Sequence, residues 1–284
     1  MIKNLLTRFY TSIIILALFM LIFFSSFYPV IFEVLIGIIS AVCIYEAINA
    51  TGFEEKKRYM IPSMIYGLLI PLTYSIKELF FKTKSAYYAI IIITFVYLIL
   101  SFVLLMVKFD GFKFSNATSV MFTSVVISCF LTNIIFIRRF NEHGFFYMIL
   151  VIVCGAWVTD IFAYLTGMLI GKHKLSPHVS PKKTIEGSLG GALFSILFSM
   201  LFCYIYSNIT GAKFNWVLVI VYALIYTLVG QLGDLSFSYI KRSYGIKDFG
   251  KILPGHGGFL DRLDSLIFIA PVFYMLINIC DIIY

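Results

Sequence analysis

Charge is what this sequence has least of. Asp, Glu, Lys and Arg together make 13% of its 284 residues, about half the share in an ordinary globular protein. A water-soluble fold is excluded, because 61% of the chain is hydrophobic and mean hydropathy is +0.98, more apolar surface than a domain of this size can bury. The same figures exclude intrinsic disorder. Cysteine is scarce and scattered: Cys43, Cys129, Cys154, Cys203 and Cys280 form no C-x-x-C pair, which rules out a disulfide scaffold. All five lie in apolar stretches, where a thiol serves as a small hydrophobe. Also missing are an internal repeat, a low-complexity tract and a linker long enough to separate soluble domains. No Walker A, H-E-x-x-H or G-x-S-x-G pattern occurs, so this is not a P-loop NTPase. The four histidines, His143, His173, His178 and His256, make no zinc site, and His173 and His178 read as loop residues.

Long apolar runs are what remains. A membrane helix needs about 20 mostly apolar residues, and nine runs qualify as candidates: 11–24, 28–46, 59–74, 87–106, 119–137, 145–167, 188–206, 216–234 and 265–282. Alternation at period 2 is absent, which argues against a barrel. The expected fold is therefore all-α, a polytopic transmembrane helix bundle of about nine spans. Lys3 and Arg8 before the first run resemble a signal peptide, but only Ser25-Ser26-Phe27 follows and no A-x-A-like cleavage site, so the run reads as a retained span.

Positive charge sets the orientation. With the N-terminus in the cytoplasm, the cytoplasmic segments hold sixteen basic residues: Lys3, Arg8, Lys56, Lys57, Arg58, Lys108, Lys113, Lys172, Lys174, Lys182, Lys183, Lys241, Arg242, Lys247, Lys251 and Arg262. The opposite side holds six, namely Lys77, Lys82, Lys84, Arg138, Arg139 and Lys213. That bias puts both polar segments, 171–187 and 235–264, in the cytoplasm. The net charge of +8 is thus mostly topology and attraction to anionic headgroups. It is divided among short loops, so no nucleic-acid partner is expected.

Carboxylates inside a bilayer cost roughly 2.5–3.5 kcal/mol each on insertion scales. Asp160 falls inside the sixth run with no base within ten positions, Asp234 ends the eighth, and Asp264 begins the ninth with Asp261 three residues before it. Glu33 and Glu46 flank the second run, where a lysine partner or a place among the headgroups would account for them. Asp261 and Asp264, at i and i+3, share a helix face. Two carboxylates so placed call for a cation, and a hard divalent ion such as Mg²⁺ takes oxygen ligands together with waters and phosphates. Pro254-Gly255-His256-Gly257-Gly258 comes just before them. Its glycines let backbone approach a ligand, and the helix start that follows offers N–H groups to phosphate. With Lys241, Arg242, Lys247, Lys251 and Arg262 around it, the segment suits a metal-bound nucleoside triphosphate. In the other polar segment, Ser180-Pro181 reads as an N-cap with proline at the first helical position. Lys182 and Lys183 then fall in the first turn, where they make sense facing an anionic ligand.

The residues Ser238-x-Ile240-Lys241-Arg242-x4-Lys247-Asp248-x-Gly250-x2-Leu253-Pro254-x-His256-Gly257-Gly258-Phe259-x-Asp261-Arg262-Leu263-Asp264 resemble the pattern of the phosphatidate cytidylyltransferase (CDP-diacylglycerol synthase) family, with no departure. Gly233-Asp234, Ser180-Pro181-Lys182-Lys183-Thr184-x-Glu186-Gly187 and Trp157-x-x-Asp160 are similar to it too. The resemblance covers 155–264 and implies CTP + phosphatidate → CDP-diacylglycerol + pyrophosphate, in an integral enzyme of the cytoplasmic membrane that works as a homodimer. It also implies Mg²⁺ with K⁺ as a second cation. By the same resemblance the metal ligands are Asp234 and Asp261, with Asp264 and Asp248 as further candidates. Lys182, Lys183, Lys241 and Arg242 offset phosphate charge, and Ser180, Thr184, Glu186, Asp160, Ser238, Lys247, Asp248, His256, Gly257, Gly258 and Arg262 line the substrates. On this reading 1–140 are N-terminal membrane helices for lipid contact and dimerisation, and 141–284 are the catalytic membrane domain. Two other readings stay open on the residues alone: a CTP-using lipid kinase, which would release CDP, and an ion-coupled transporter, which nine spans with intramembrane acids also fit.

Overall fold

A computed structural model of the chain describes residues 2–52, 56–76, 86–107, 114–255 and 257–284. His256 lies outside the described residues, as do Lys77, Lys82, Lys84, Lys108 and Lys113 from the orientation argument. Helix dominates, as it must where lipid satisfies no backbone polar group. The elements are α1 (Ile2–Ser25), α2 (Pro29–Ala50), α3 (Lys56–Leu69), α4 (Thr73–Ile76), α5 (Ala86–Val107) and α6 (Phe114–Arg138). Then α7 (Gly144–Ile149) runs through a π-helical stretch, Leu150–Val158, into α8 (Thr159–Ile170). They are followed by β1 (Lys174–Ser176), β2 (Ser180–Thr184), α9 (Ile185–Thr210), α10 (Trp216–Ser243) and α11 (Leu260–Ile279).

Among the described residues, seven helices are long and apolar enough to cross a membrane, with Gly144–Ile170 counted as one. Each coincides with an expected run, and α1 occupies the place of the first run. The third run differs. There α3 has 14 residues, roughly 21 Å at about 1.5 Å per residue, which is short of a hydrocarbon core of about 30 Å. Pro71 lies in the turn that ends it, where it supplies no N–H and disfavours a helical conformation for Ile70.

The chain divides into two compact units, Met1–Ile135 with Ser243–Arg262, and Phe136–Arg242 with Leu263–Tyr284. Polar contacts hold the first unit's helices where apolar association has no driving force. Tyr66 on α3 stacks on Tyr97 of α5 at 4.3 Å. Their hydroxyls meet Thr94 at 3.0 Å and Ser63 at 2.9 Å respectively, and Ser40 of α2 meets Ser128 of α6 at 3.0 Å. Only Ala86, Ala89, Tyr97 and Ser101 of α5 are buried, leaving Ile91, Phe95, Val96 and Leu100 exposed.

In the second unit Phe146 gathers the rings of Tyr206, Phe202 and Phe214 at 4.1, 5.1 and 5.5 Å. Within the π-helical stretch the Cys154 carbonyl oxygen accepts side-chain hydroxyls. Ser195 Oγ donates to it at 2.7 Å and Thr159 Oγ1 at 3.2 Å, and this stretch delivers Asp160 at the start of α8. At Gly187 a Cβ would lie 2.5 Å from the carbonyl oxygen of Ala163, so glycine permits the close approach of α9 to α8.

The segment before α9 corrects one expectation. Ser180 does not cap a helix, and Lys182 and Lys183 do not lie in a first turn. Ser180–Thr184 is a strand, paired antiparallel with Lys174–Ser176. The cap is Thr184, whose Oγ1 accepts the Gly187 N–H at 3.1 Å, and Glu186 occupies the first turn of α9. Pro181 biases Ser180 toward extended backbone, and the helix dipole favours Glu186 over two lysines in that turn. Thr184→Ala is expected to cost about 1 kcal/mol of stability, read as a lowered unfolding midpoint in detergent that Thr184→Ser restores.

Candidate active site

Each unit carries its own carboxylate cluster. In the second, α10 presents Asp234 with Ser238 one turn later, and Ser238 Oγ donates to Asp234 Oδ1 at 3.2 Å. Lys183, on β2, forms an ion pair through Nζ with Asp234 Oδ2, the two side chains being 28% and 21% exposed. Asp264, in the first turns of α11, is buried, and its carboxylate is acted on by the charges of Asp234, Lys241 and Asp160. The structure thus assembles Asp160, Asp234, Asp264, Lys183, Lys241 and Ser238 within one unit, although they come from β2 and three helices.

The hairpin that carries Lys183 is fastened at both ends. At its tip, Arg242 Nε donates to the Val179 carbonyl at 3.3 Å. At its base, Glu186 accepts the Lys172 N–H at 3.1 Å and the His173 N–H at 3.2 Å, and meets His173 Nδ1 at 2.6 Å. Thr184, Glu186 and His173 therefore shape the hairpin, while Lys182 stays exposed and Ser180 is half-buried. Gln231, three residues before Asp234, was not among the expected site residues. Its Nε2 donates to the Ser188 carbonyl at 3.2 Å, and its Oε1 accepts from Ser188 Oγ. The pair ties α9 to α10 beside Asp234. The signal for it was a lone amide in an apolar run.

In the first unit the glycine-rich segment folds back on itself, Leu253 N–H bonding to the Gly257 carbonyl at 3.0 Å. Asp261 Oδ2 accepts the Phe249 N–H at 3.0 Å and the Gly258 N–H at 2.9 Å. Gly257 has φ +88°, and a Cβ there would lie 3.1 Å from Asp261 Oδ2 and 3.4 Å from Asp248 Oδ1. Both carboxylates converge on this turn, which favours glycine by its dihedral alone. Lys247 and Arg262 are exposed beside it.

Glu46 was not expected here at all. Its placement among headgroups is corrected: it is buried at 2% exposure, and Oε2 accepts the Leu260 N–H at 2.9 Å. Glu33 is likewise buried and accepts the Ser75 N–H at 3.2 Å. Neither glutamate reaches the surface, because backbone donors inside the unit meet them.

Among the described residues, no three His, Cys, Asp or Glu side chains gather closely enough to enclose a metal ion. The donors present are hard carboxylate oxygens in small sets, and Mg²⁺ commonly takes one or two carboxylates and completes its shell with water and phosphate. The donor chemistry therefore fits such an ion.

Comparison with known proteins gives a consistent result. A model of the cytidylyltransferase family matches residues 6–280. A protein of Thermotoga maritima named phosphatidate cytidylyltransferase is 30% identical over 251 residues, 88% of this chain and 90% of that one. Its namesake in Bacillus subtilis is 31% identical over 251 residues, 87% and 88% of the two chains. One from Staphylococcus aureus is 43% identical over 143 residues, about half of each.

Proposed function

The chain belongs to the cytidylyltransferase family, and from that premise we propose that it transfers the cytidylyl group of CTP to phosphatidate. The products are CDP-diacylglycerol, which stays in the bilayer, and pyrophosphate. The observation that carries this reading is the Asp160, Asp234 and Asp264 cluster with Lys183 and Lys241, set on membrane helices and on the hairpin that precedes one of them. Carboxylates at that depth are costly, and a reaction that joins a water-soluble polyanion to a lipid needs charge placed there.

A phosphatidate oxygen attacks the α-phosphorus of CTP. The new P–O bond forms as the bond to the bridging oxygen of the β-phosphate breaks, and pyrophosphate leaves with the electron pair. The second ionisation of a phosphate monoester lies near pH 6, at about the value for phosphorylated side chains, so the nucleophile is already an anion and no general base is needed. Positioning and charge neutralisation carry the catalysis. Lys183 and Lys241 in the cluster, with Lys182 on the hairpin and Arg242 at its tip, are the cations for the phosphates of the two substrates. Asp234 and Asp264 in the second unit, and separately Asp261 in the first, are the carboxylates that would take cations, Mg²⁺ and, as a second one, K⁺. When bound, the divalent ion supplies Lewis-acid stabilisation of charge on the phosphate oxygens. Asp234 also holds the Lys183 ammonium against α10, and Ser238 fixes the Asp234 carboxylate through its other oxygen.

The excess of basic residues near 171–187 and 235–264 supports a cytoplasmic N-terminus and a cytoplasmic site in the cell membrane, where CTP is available. A homodimer completes the reading.

The test follows the label. Purified protein in phosphatidate-containing micelles with Mg²⁺ and CTP labelled at the α-phosphorus should move the label into lipid and release pyrophosphate in equal amount. Transfer of a γ-label to lipid with release of CDP would make the protein a lipid kinase and sink the proposal.

A further inference from the structure

We propose that Glu46 is a positioning residue for the transfer: carried by α2, its carboxylate seats the glycine-rich loop against the start of α11 and thereby aims Asp261. The inference rests on the cytidylyl-transfer reading and names a residue that acts through others, not on substrate.

The contacts form a short chain. Glu46 Oε2 accepts the Leu260 N–H at 2.9 Å, where the helix dipole favours a negative charge. A methyl on Gly250 would overlap Glu46 Oε1, and one on Gly258 would come within 2.6 Å of Oε2. The carboxylate therefore fills the space that both glycines leave open. Gly258 in turn donates its N–H to Asp261 Oδ2 at 2.9 Å, and Phe249, next to Gly250, donates to the same oxygen at 3.0 Å. Each backbone donor that orients Asp261 thus belongs to a residue in contact with Glu46 or to its neighbour in the chain. Glu46 Oε1 has no hydrogen-bond partner among the described residues. The unpaired oxygen is a liability for folding, offset by the bond of Oε2 to the start of α11 and by the space that the carboxylate fills.

Three variants test this: Glu46→Ala, Glu46→Gln and Gly250→Ala. Hydrogen exchange of the 248–262 peptide, measured without added Mg²⁺, reads the loop, and CDP-lipid formation reads the consequence. Glu46→Ala should speed exchange and lower kcat about 10- to 100-fold, the usual effect of losing a group that orients ligands, with the KM for CTP changed far less. Glu46→Gln keeps an acceptor for Leu260 and the same shape, so both readouts should stay within about threefold of wild type. Gly250→Ala should behave like Glu46→Ala because the methyl evicts the carboxylate. The double variant should be no worse than Glu46→Ala, because the two changes act on one space. Unchanged exchange in Glu46→Ala would overturn the proposal. Faster exchange with unchanged kcat would do the same, as would a Glu46→Gln protein as slow as the alanine variant. If wild type makes no CDP-lipid, the transfer reading falls separately, and the exchange data still judge the anchor.

Discussion

Asp234→Asn should lower the rate of CDP-lipid formation about a thousandfold and leave the fold intact. Asparagine keeps the size of the side chain and an oxygen to accept from Ser238, which now donates at 3.2 Å. What it removes is negative charge. The ion pair with Lys183 joins side chains 28% and 21% exposed, and pairs this open contribute at most about 1 kcal/mol to stability. The unfolding midpoint should therefore fall by no more than about 2–4 °C. The chemistry loses more. A hard anionic ligand underlies several kcal/mol of charge stabilisation in the transition state, and about 4 kcal/mol is about a thousandfold in rate. Lys183→Met should cost less, about 10- to 100-fold, because Lys241 remains beside the same carboxylates. The measurement is label transfer at saturating CTP and phosphatidate, paired with thermal unfolding in the same detergent. A rate within about tenfold of wild type would take Asp234 out of the reacting site.

The helices could be read from residue order, and Asp160 and Asp234 could be singled out within them; other features could not, for identifiable reasons. Runs of apolar residues as long as 87–106 or 216–234 have no low-energy alternative to helix in lipid, so these spans were legible. Asp160 and Asp234 stood out because charge inside such runs is rare. The hairpin 174–184 was hidden because its strands are three and five residues long, too short to show alternation. Pro181 also serves equally well as a helix start or as a residue that holds extended backbone. The π-helical stretch 150–158 is apolar throughout, and only its partners Ser195 and Thr159, one of them 41 residues from Cys154, reveal it. Glu46 was the largest omission. Nothing near it in sequence explains a buried carboxylate, because its donor, Leu260, is 214 residues away. For the same reason the segment 243–262, adjacent in sequence to α10, belongs to the unit that α2 helps to build.

Asp261→Asn should abolish turnover to about the same degree as Asp234→Asn while leaving its loop in place. The two backbone donors, Phe249 and Gly258, both bond to one oxygen, Oδ2. An asparagine oriented with its carbonyl oxygen at that position accepts both, so exchange of the 248–262 peptide should match wild type. The other oxygen becomes an NH2 group, which neither ligates a cation nor carries charge. A rate loss of about a thousandfold with an unaltered loop would then report charge and coordination alone. Asp261→Ala separates the two roles. It removes the acceptor as well, so exchange should quicken while the rate falls no further than in the asparagine variant. The contrast with Glu46 is the discriminating feature: there the amide should rescue and alanine should not, whereas at Asp261 the amide should fail even though the backbone stays put. An Asp261→Asn protein that keeps more than about a tenth of wild-type activity would mean that the carboxylate only staples the glycine-rich turn.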